Sequence, residues 1–483
     1  MLHFELAYYL QNLTDSEFFA VIDIPNNPKK MFLKQKFVNF EKTWFFHDHV
    51  KKVKTKPDLE YIEYFEKKYD IDLWKIAINE RFFYRFNRFY KFSKNEILQI
   101  LEQECKLFEK IIDEVKPDFF LTYDPPFHYQ KLFLDLCKAK GVKILCLYYT
   151  RVGSSTILAS DGTTFDLDYD VDLNKLDESS LKNKTEKRSE YSKITESYKF
   201  KRKPTISNKI KALIDFIIFS DSKNAHSNFT YYGRNKMKVI VDSILLILKR
   251  KYRERFMNKH FIKETIKDFK YIYFPMNIEE ELSVLHYTPF FTNQIEVIRH
   301  VAKSLPIDYQ LVVKEHPFAE FRGWHTIREY KEIMDLKNVT VVHHSISSEK
   351  LMENSELVIT LRGTASFDCL NYKKPSIIFG QVSFGNIPSV FTVSELDELP
   401  KIIRSAIKSQ VNDEDIEKYI QIIKKNEIDF SMMEWEVLRN NYFFSGNTLS
   451  DVEISNEQVQ EFFNITKQYF KPLVDAHLEK INI

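Results

Sequence analysis

The chain has 483 residues, more than one hydrophobic core ordinarily supports, so two domains are expected. Hydrophobic residues at 44% and aromatics at 15% allow sizeable cores, while 71 Lys and Arg against 69 Asp and Glu leave a net charge of +2, which gives no global reason to expect a nucleic-acid partner. The four cysteines (Cys105, Cys137, Cys146, Cys369) lack paired spacing, which argues against a disulfide frame or a zinc site and for reduced thiols. Met1-Leu2-His3-Phe4-Glu5 is not a basic region followed by an apolar stretch, and apolar runs such as Val239 to Leu248, broken by Asp242, are too short to span a bilayer. The expectation is a cytoplasmic protein.

In chain order, a helical pattern over Phe4 to Gln11 precedes a short apolar strand, Phe18 to Ile24. A long amphipathic helix from Lys94 to Val115 leads through Pro117 to a strand at Phe119 to Tyr123. After the loop Asp124-Pro125-Pro126 come a helix from Tyr129 to Ala139, a stop at Lys140-Gly141 and a strand from Val142 to Leu147. This is a βαβ unit, so residues 1–165 are expected to form a Rossmann-like domain, although one that opens in a helix rather than a strand.

Residues 166–269 read as a connector: an acidic run from Asp166 to Ser180, a polar basic run from Lys182 to Lys203, and amphipathic helices at Lys209 to Phe219 and Lys236 to Phe256. Alternation returns at Tyr271. Strands are expected at Tyr271 to Phe274, Gln310 to Val313, Val339 to Val342, Leu357 to Leu361 and Ser376 to Phe379. The helices between them are Thr292 to Ser304, Ile327 to Met334, Ser348 to Asn354 and Ala365 to Leu370. That makes 270–393 a second Rossmann-like domain, followed by a helical tail over 394–483.

Ligands of parallel sheets bind beyond the strand C-termini, so the residues there are the site candidates. The second strand of this domain ends in Lys314-Glu315-His316-Pro317, the third in His343-His344-Ser345, the fourth in Arg362-Gly363-Thr364-Ala365-Ser366 and the fifth in Gly380-Gln381. Gly363 permits close backbone approach, Thr364 to Ser366 open a helix whose N–H groups attract an anion, and Lys314 and His316 add donors where leaving-group charge develops. The pattern suits a nucleotide phosphate.

These residues carry a resemblance. Lys314-Glu315-His316-Pro317, then Gly363-Thr364-Ala365, then Lys374-Pro375 before an apolar strand ending in Phe379-Gly380, resemble the bacterial capsule polysaccharide synthesis proteins, a group that includes transferases of the acidic sugar Kdo. The resemblance covers Tyr271 to Gly380, with Tyr273-Phe274-Pro275 and Gln294, and the N-terminal half only loosely. It implies a GT-B-like α/β fold, two Rossmann-like domains facing a cleft, and a metal-independent glycosyltransferase with a CMP-linked donor. His316 and Pro317 match the motif that contacts the nucleotide phosphate, and Gly363 and Thr364 match the phosphate loop. Arg362 and Ser366 flank that loop, and Asp368 stands where a Glu is usual near the ribose or base. Where the family has Gln-Pro-Glu this chain has Glu279-Glu280-Glu281, so Glu281 alone matches and joins the catalytic candidates; Ser366 replaces a common Gly.

In such an enzyme the acceptor base comes from the N-terminal domain. Asp124, at a strand end, and His128 nearby are the candidates, with Arg151, Ser154 and Asp161 as weaker contacts. The partners expected are a nucleotide sugar and a glycan or lipid-linked glycan. Residues 234–259 carry nine Lys or Arg among apolar residues, which fits peripheral contact with the inner membrane as well as an interdomain helix. Asp166 and Asp168 form an Asp-x-Asp, but the run lacks the Gly and Glu of a calcium loop and reads as solvated linker. His47-Asp48-His49 and His343-His344 define no coordination set, so no metal is expected. Three alternatives stay open: a CDP-polyol phosphate transferase of the teichoic acid type, a sugar-nucleotide epimerase, and a non-catalytic component of a polysaccharide assembly complex.

Overall fold

The computed structural model describes residues 1–24, 26–53, 55–167, 213–214, 216–218, 228–264, 266, 269–444 and 452–482. The described residues of Met1–Ser160, Ser189–Val239 and Asn426–Ile483 form one compact unit, and those of Asp161–Arg188 and Ile240–Lys425 another. Both are α/β. The residues 168–180 and 182–203, with Asp168, lie outside the described set.

In the first unit, parallel strands β1 (Phe18–Ile22) and β2 (Phe40–Phe45) make one small sheet. Strands β3 (Phe119–Tyr123), β4 (Lys143–Tyr149) and β5 (Thr156–Ala159) make a second. The helix Lys94–Val115 begins in a capping box, Ser93 with Glu96, and ends where Lys116 turns left-handed. The helix His128–Ala139 is followed by Gly141 at φ +76°, which returns the chain into β4. The strands of this unit are divided between the sheets β1-β2 and β3-β4-β5. The β4–β5 connection is a short turn in which the Thr150 N–H donates to the Ser155 carbonyl, and so short a link only permits antiparallel pairing.

The helix Leu2–Leu10 lies against the long helix Asn456–Ile481, with Phe4, Leu6 and Leu10 buried against Phe462, Phe463 and Phe470. The expected helical tail is thus divided between the units. Leu399–Lys408 and Asp413–Asn426 end the second, whereas Met432–Phe443 and Asn456–Ile481 complete the first core.

The second unit is built on six parallel strands: β6 (Tyr271–Pro275), β7 (Gln310–Lys314), β8 (Val339–Val342), β9 (Leu357–Thr360), β10 (Ser376–Ile378) and β11 (Val390–Thr392), in the order β11-β10-β9-β6-β7-β8. Their buried, unbroken apolar runs are those of a sheet covered on both faces. The helices Gln294–Ser304, Ile327–Met334 and Leu399–Lys408 contribute the apolar sides that cover it. From the expected connector, the part of the helix Lys236–His260 beyond Val239 belongs to this unit: Met257 is in its core, and Arg253 Nη1 donates to the Gly323 and Trp324 carbonyls at 2.8 and 2.6 Å. No helix among the described residues is long and apolar enough to cross a membrane.

Candidate functional site

The chain runs β6-β7-β8 outward on one side, then crosses back to place β9 on the other side of β6. Connections diverge at the C-terminal ends of β6, β7 and β9, which is where α/β sheets open a crevice. A buried polar network occupies that edge. Thr360, at the end of β9, donates to Asn277 Oδ1 at 2.9 Å; the Asn277 N–H and carbonyl are both held by the Gln294 amide, at 2.6 and 2.7 Å. Glu279 accepts the Gln294 N–H, a free donor of the helix Gln294–Ser304, at 3.1 Å, and also faces His325 Nε2 at 3.7 Å. His325 Nδ1 in turn donates to Glu315 Oε2 at 2.5 Å.

Glu315 is buried, and takes the Tyr330 hydroxyl at 2.7 Å and the His316 N–H at 2.9 Å. Burial alone would raise its carboxyl, but His325, Tyr330 and the His316 amide together hold it below the ordinary carboxylate value. Burial would likewise lower His325; the Glu315 and Glu279 carboxylates outweigh it and raise the imidazole well above its usual value. The backbone of the His316 loop is therefore fastened to a buried ion pair. On the loop itself the Phe318 N–H donates to His316 Nδ1 at 3.2 Å and the two rings stack at 5.7 Å. With Nδ1 accepting, the neutral ring carries its proton on Nε2.

Gly363 has no room for a side chain. A Cβ there would lie 2.8 Å from Thr360 Oγ1 and 3.1 Å from Asn277 Nδ2, so the bare backbone approaches the same network. Thr364 follows without a side-chain cap bond. The helix expected after it is a single turn, Ala365–Asp368, continued as a 3-10 turn to Tyr372, so the argument from a helix dipole falls away and the close backbone approach remains.

Other expected site residues have structural work. Lys314 is buried, with Nζ donating to the Ile346 carbonyl at 2.6 Å and to Ser348 Oγ at 2.7 Å, which fastens β7 to the segment after β8. Arg362 is buried too; Nε and Nη2 donate to the Gln381 and Gly162 carbonyls, and its guanidinium sits 3.7 Å from the Tyr287 ring centroid. Ser366 Oγ donates to the Gly363 carbonyl at 2.7 Å and so shapes the loop from within. Pro317 and Asp368 are half-buried beside these turns, and Glu281 is exposed at the start of the one-turn helix Leu282–Leu285.

In the first unit Asp124 is half-buried just past β3, its N–H donating to the Leu147 carbonyl at 3.0 Å. His128 is wholly buried between Glu80 and Glu104, at 2.8 and 3.1 Å. Burial would lower it, but the two carboxylates raise it to about 10, which favours the charged ring in this pocket. Asp161 accepts the Thr163 and Thr164 N–H groups and stabilises a turn. His47 Nε2 meets Asp23 at 2.6 Å, a contact with no counterpart in the sequence pattern. His343 Nδ1 pairs with Ser345 Oγ at 2.6 Å. Among the described residues no group of three or more His, Cys, Asp or Glu is placed to hold a metal ion.

Asn277, His325, Tyr330 and Thr360 were not singled out by sequence. Asn277 sits two residues beyond β6 and is readable by the same strand-end rule; His325 lies in a loop between short helices and leaves no local signal.

Residues 191–390 match the family described as capsule polysaccharide biosynthesis protein. No curated protein matches the chain. Among solved structures, the beta Kdo 2,7 transferase KpsC of Thermosulfurimonas dismutans is similar at 12% identity over 85% of this chain and 100% of that one, with a TM-score of 0.31. The UDP-GlcNAc 2-epimerase of Methanocaldococcus jannaschii is similar at 12% over 85% and 100%, TM-score 0.25. Anabaena Alr3699/HepE, in complex with UDP-glucose, is similar at 15% over 32% and 45%, TM-score 0.24. The family match spans β6 to β10 and the strand-end network between them.

Proposed function

We propose that the chain is a metal-independent glycosyltransferase of capsule polysaccharide biosynthesis. It takes an acidic sugar, Kdo or a relative, from a cytidine nucleotide and passes it to a growing glycan. The donor phosphate is assigned to the edge formed by His316 and Gly363-Thr364 in the second unit, and the acceptor to the first unit, with Asp124 as base. The observation that carries this reading is that the backbones of His316, through Glu315 and His325, and of Gly363, against Thr360 and Asn277, are tied to one buried network at the strand-order reversal. Lys314, Arg362 and Ser366 serve by holding the loops, and Pro317 and Asp368 line their flanks.

Calorimetric titration with cytidine monophosphate tests it. His316→Ala and Thr364→Ala are each expected to weaken binding by about 1–3 kcal/mol, as for a lost charge-assisted or buried hydrogen bond. Asp124→Asn is expected to spare affinity and lower turnover, because a base acting on the acceptor contributes in the transition state. Near-native affinity in both donor-edge variants would remove the donor from this edge. Binding is expected to survive EDTA; loss restored by Mg²⁺ or Mn²⁺ would overturn metal independence. Product analysis separates sugar transfer from polyol phosphate transfer or epimerisation.

A further inference from the structure

The helix Lys236–His260 carries two different faces. Its inward face holds Leu246, Arg253 and Met257: a side chain on Gly323 would lie 2.6 Å from the Leu246 methyl, Arg253 bonds the Gly323 and Trp324 carbonyls, and Met257 is in the core. At 100° per residue the opposite face collects Met237, Val241, Ile244, Leu245, Leu248 and Tyr252, spaced by three and four residues. All six are 44–69% exposed, while Leu246, Arg253 and Met257 make the contacts on the other side. A stripe of that length on solvent is unusual for a surface that has no partner.

The charges choose the partner. The helix carries eight Lys or Arg against Asp242 and Glu254. Lys238, Lys249 and Lys251 border the stripe, and Arg255 and Lys259 continue its line beyond Tyr252. A second copy of the chain laid on this stripe would bring like charges together along its borders. An anionic lipid surface instead receives the apolar side chains below the headgroups while the lysine and arginine stems reach up to the phosphates.

We propose that the outward face of the helix Lys236–His260 is an interfacial membrane-docking surface for anionic lipid. This stands apart from the nucleotide reading and would survive its failure.

Co-sedimentation of the full chain with vesicles at about 0.1 M salt is the test. The native protein is expected to pellet with phosphatidylglycerol-containing vesicles and not with pure phosphatidylcholine. Ile244→Asp with Leu248→Asp, and separately Lys249→Gln with Lys251→Gln, should each lower the partition coefficient about tenfold or more while leaving the melting temperature unchanged. All these positions are exposed, so the variants are expected to fold. No pelleting of the native protein, equal pelleting on neutral vesicles, or undiminished pelleting of both variants would overturn the proposal. So would a native dimer that Ile244→Asp with Leu248→Asp converts to monomer.

Discussion

The imidazole of His128 donates from both ring nitrogens into a fully buried pocket, to Glu80 at 2.8 Å and Glu104 at 3.1 Å. Glu80 also accepts the His128 backbone N–H and stays below the ordinary carboxylate value; Glu104, buried and close to the Glu80 charge, is pushed up. Removing the cation strands two buried acids, so His128→Gln is expected to lose about 3–5 kcal/mol of stability. The sign with pH follows from the raised imidazole. Its contribution is complete below the ordinary histidine value of 6.5 and is lost as pH climbs through about 10, so the melting-temperature gap between native protein and variant should narrow over that interval. A gap that widens there would show that the ring is neutral in the folded state. His325 has the same chemistry in a different place, since its partner Glu315 also holds the His316 amide. His325→Gln should therefore weaken cytidine monophosphate binding as well as stability, whereas His128→Gln should reduce stability alone. Equal effects of the two on binding would disconnect the ion pair from the donor edge.

At the scale of elements, β7 to β10 were readable because short apolar runs end abruptly in Lys, His, Arg or Gly, and a buried parallel strand needs little else. The helices Lys94–Val115, Ile327–Met334 and Ser348–Asn354 stand at their expected bounds because each opens on a Ser or Thr cap. Strands β5 and β11 escaped notice. They are four and three residues long, and what makes them strands is pairing with β4 and β10. The site was legible to the same depth: His316 and Gly363 sit at strand ends, while the partners that orient them reach the edge through loops whose proximity is tertiary. Two substitutions probe how elements are joined. Gly363→Ala pushes a methyl into Thr360 and Asn277 and should cost about 1–3 kcal/mol, together with the nucleotide affinity. Glu5 joins the first helix to the last two: it takes Trp435 Nε1 at 2.9 Å and the Thr466 hydroxyl, and burial pushes its carboxyl to about 7. Glu5→Ala leaves a buried indole N–H unpaired, with an expected loss of about 1–3 kcal/mol.

Among the described residues each unit has buried apolar residues of its own, around Phe4, Trp435 and Phe462 in the first and around Ile272, Val313 and Ile359 in the second. Units with their own cores unfold as separate cooperative transitions unless their contact is extensive, and a ligand raises only the transition of the unit that binds it. Differential scanning calorimetry of the full chain should therefore resolve two components. Glu5→Ala should lower the first, to which both terminal segments belong, and Gly363→Ala the second. Cytidine monophosphate at about 100 times its dissociation constant adds about 2.7 kcal/mol to the state that binds it. In a unit of this size that is a rise of about 5–10 °C. The rise is expected in the component that Gly363→Ala lowers, to be absent in that variant, and to persist in Glu5→Ala. A rise confined to the component that Glu5→Ala lowers would move the nucleotide to the first unit and overturn the donor assignment. Two components that rise together would show that the nucleotide is held by residues of both.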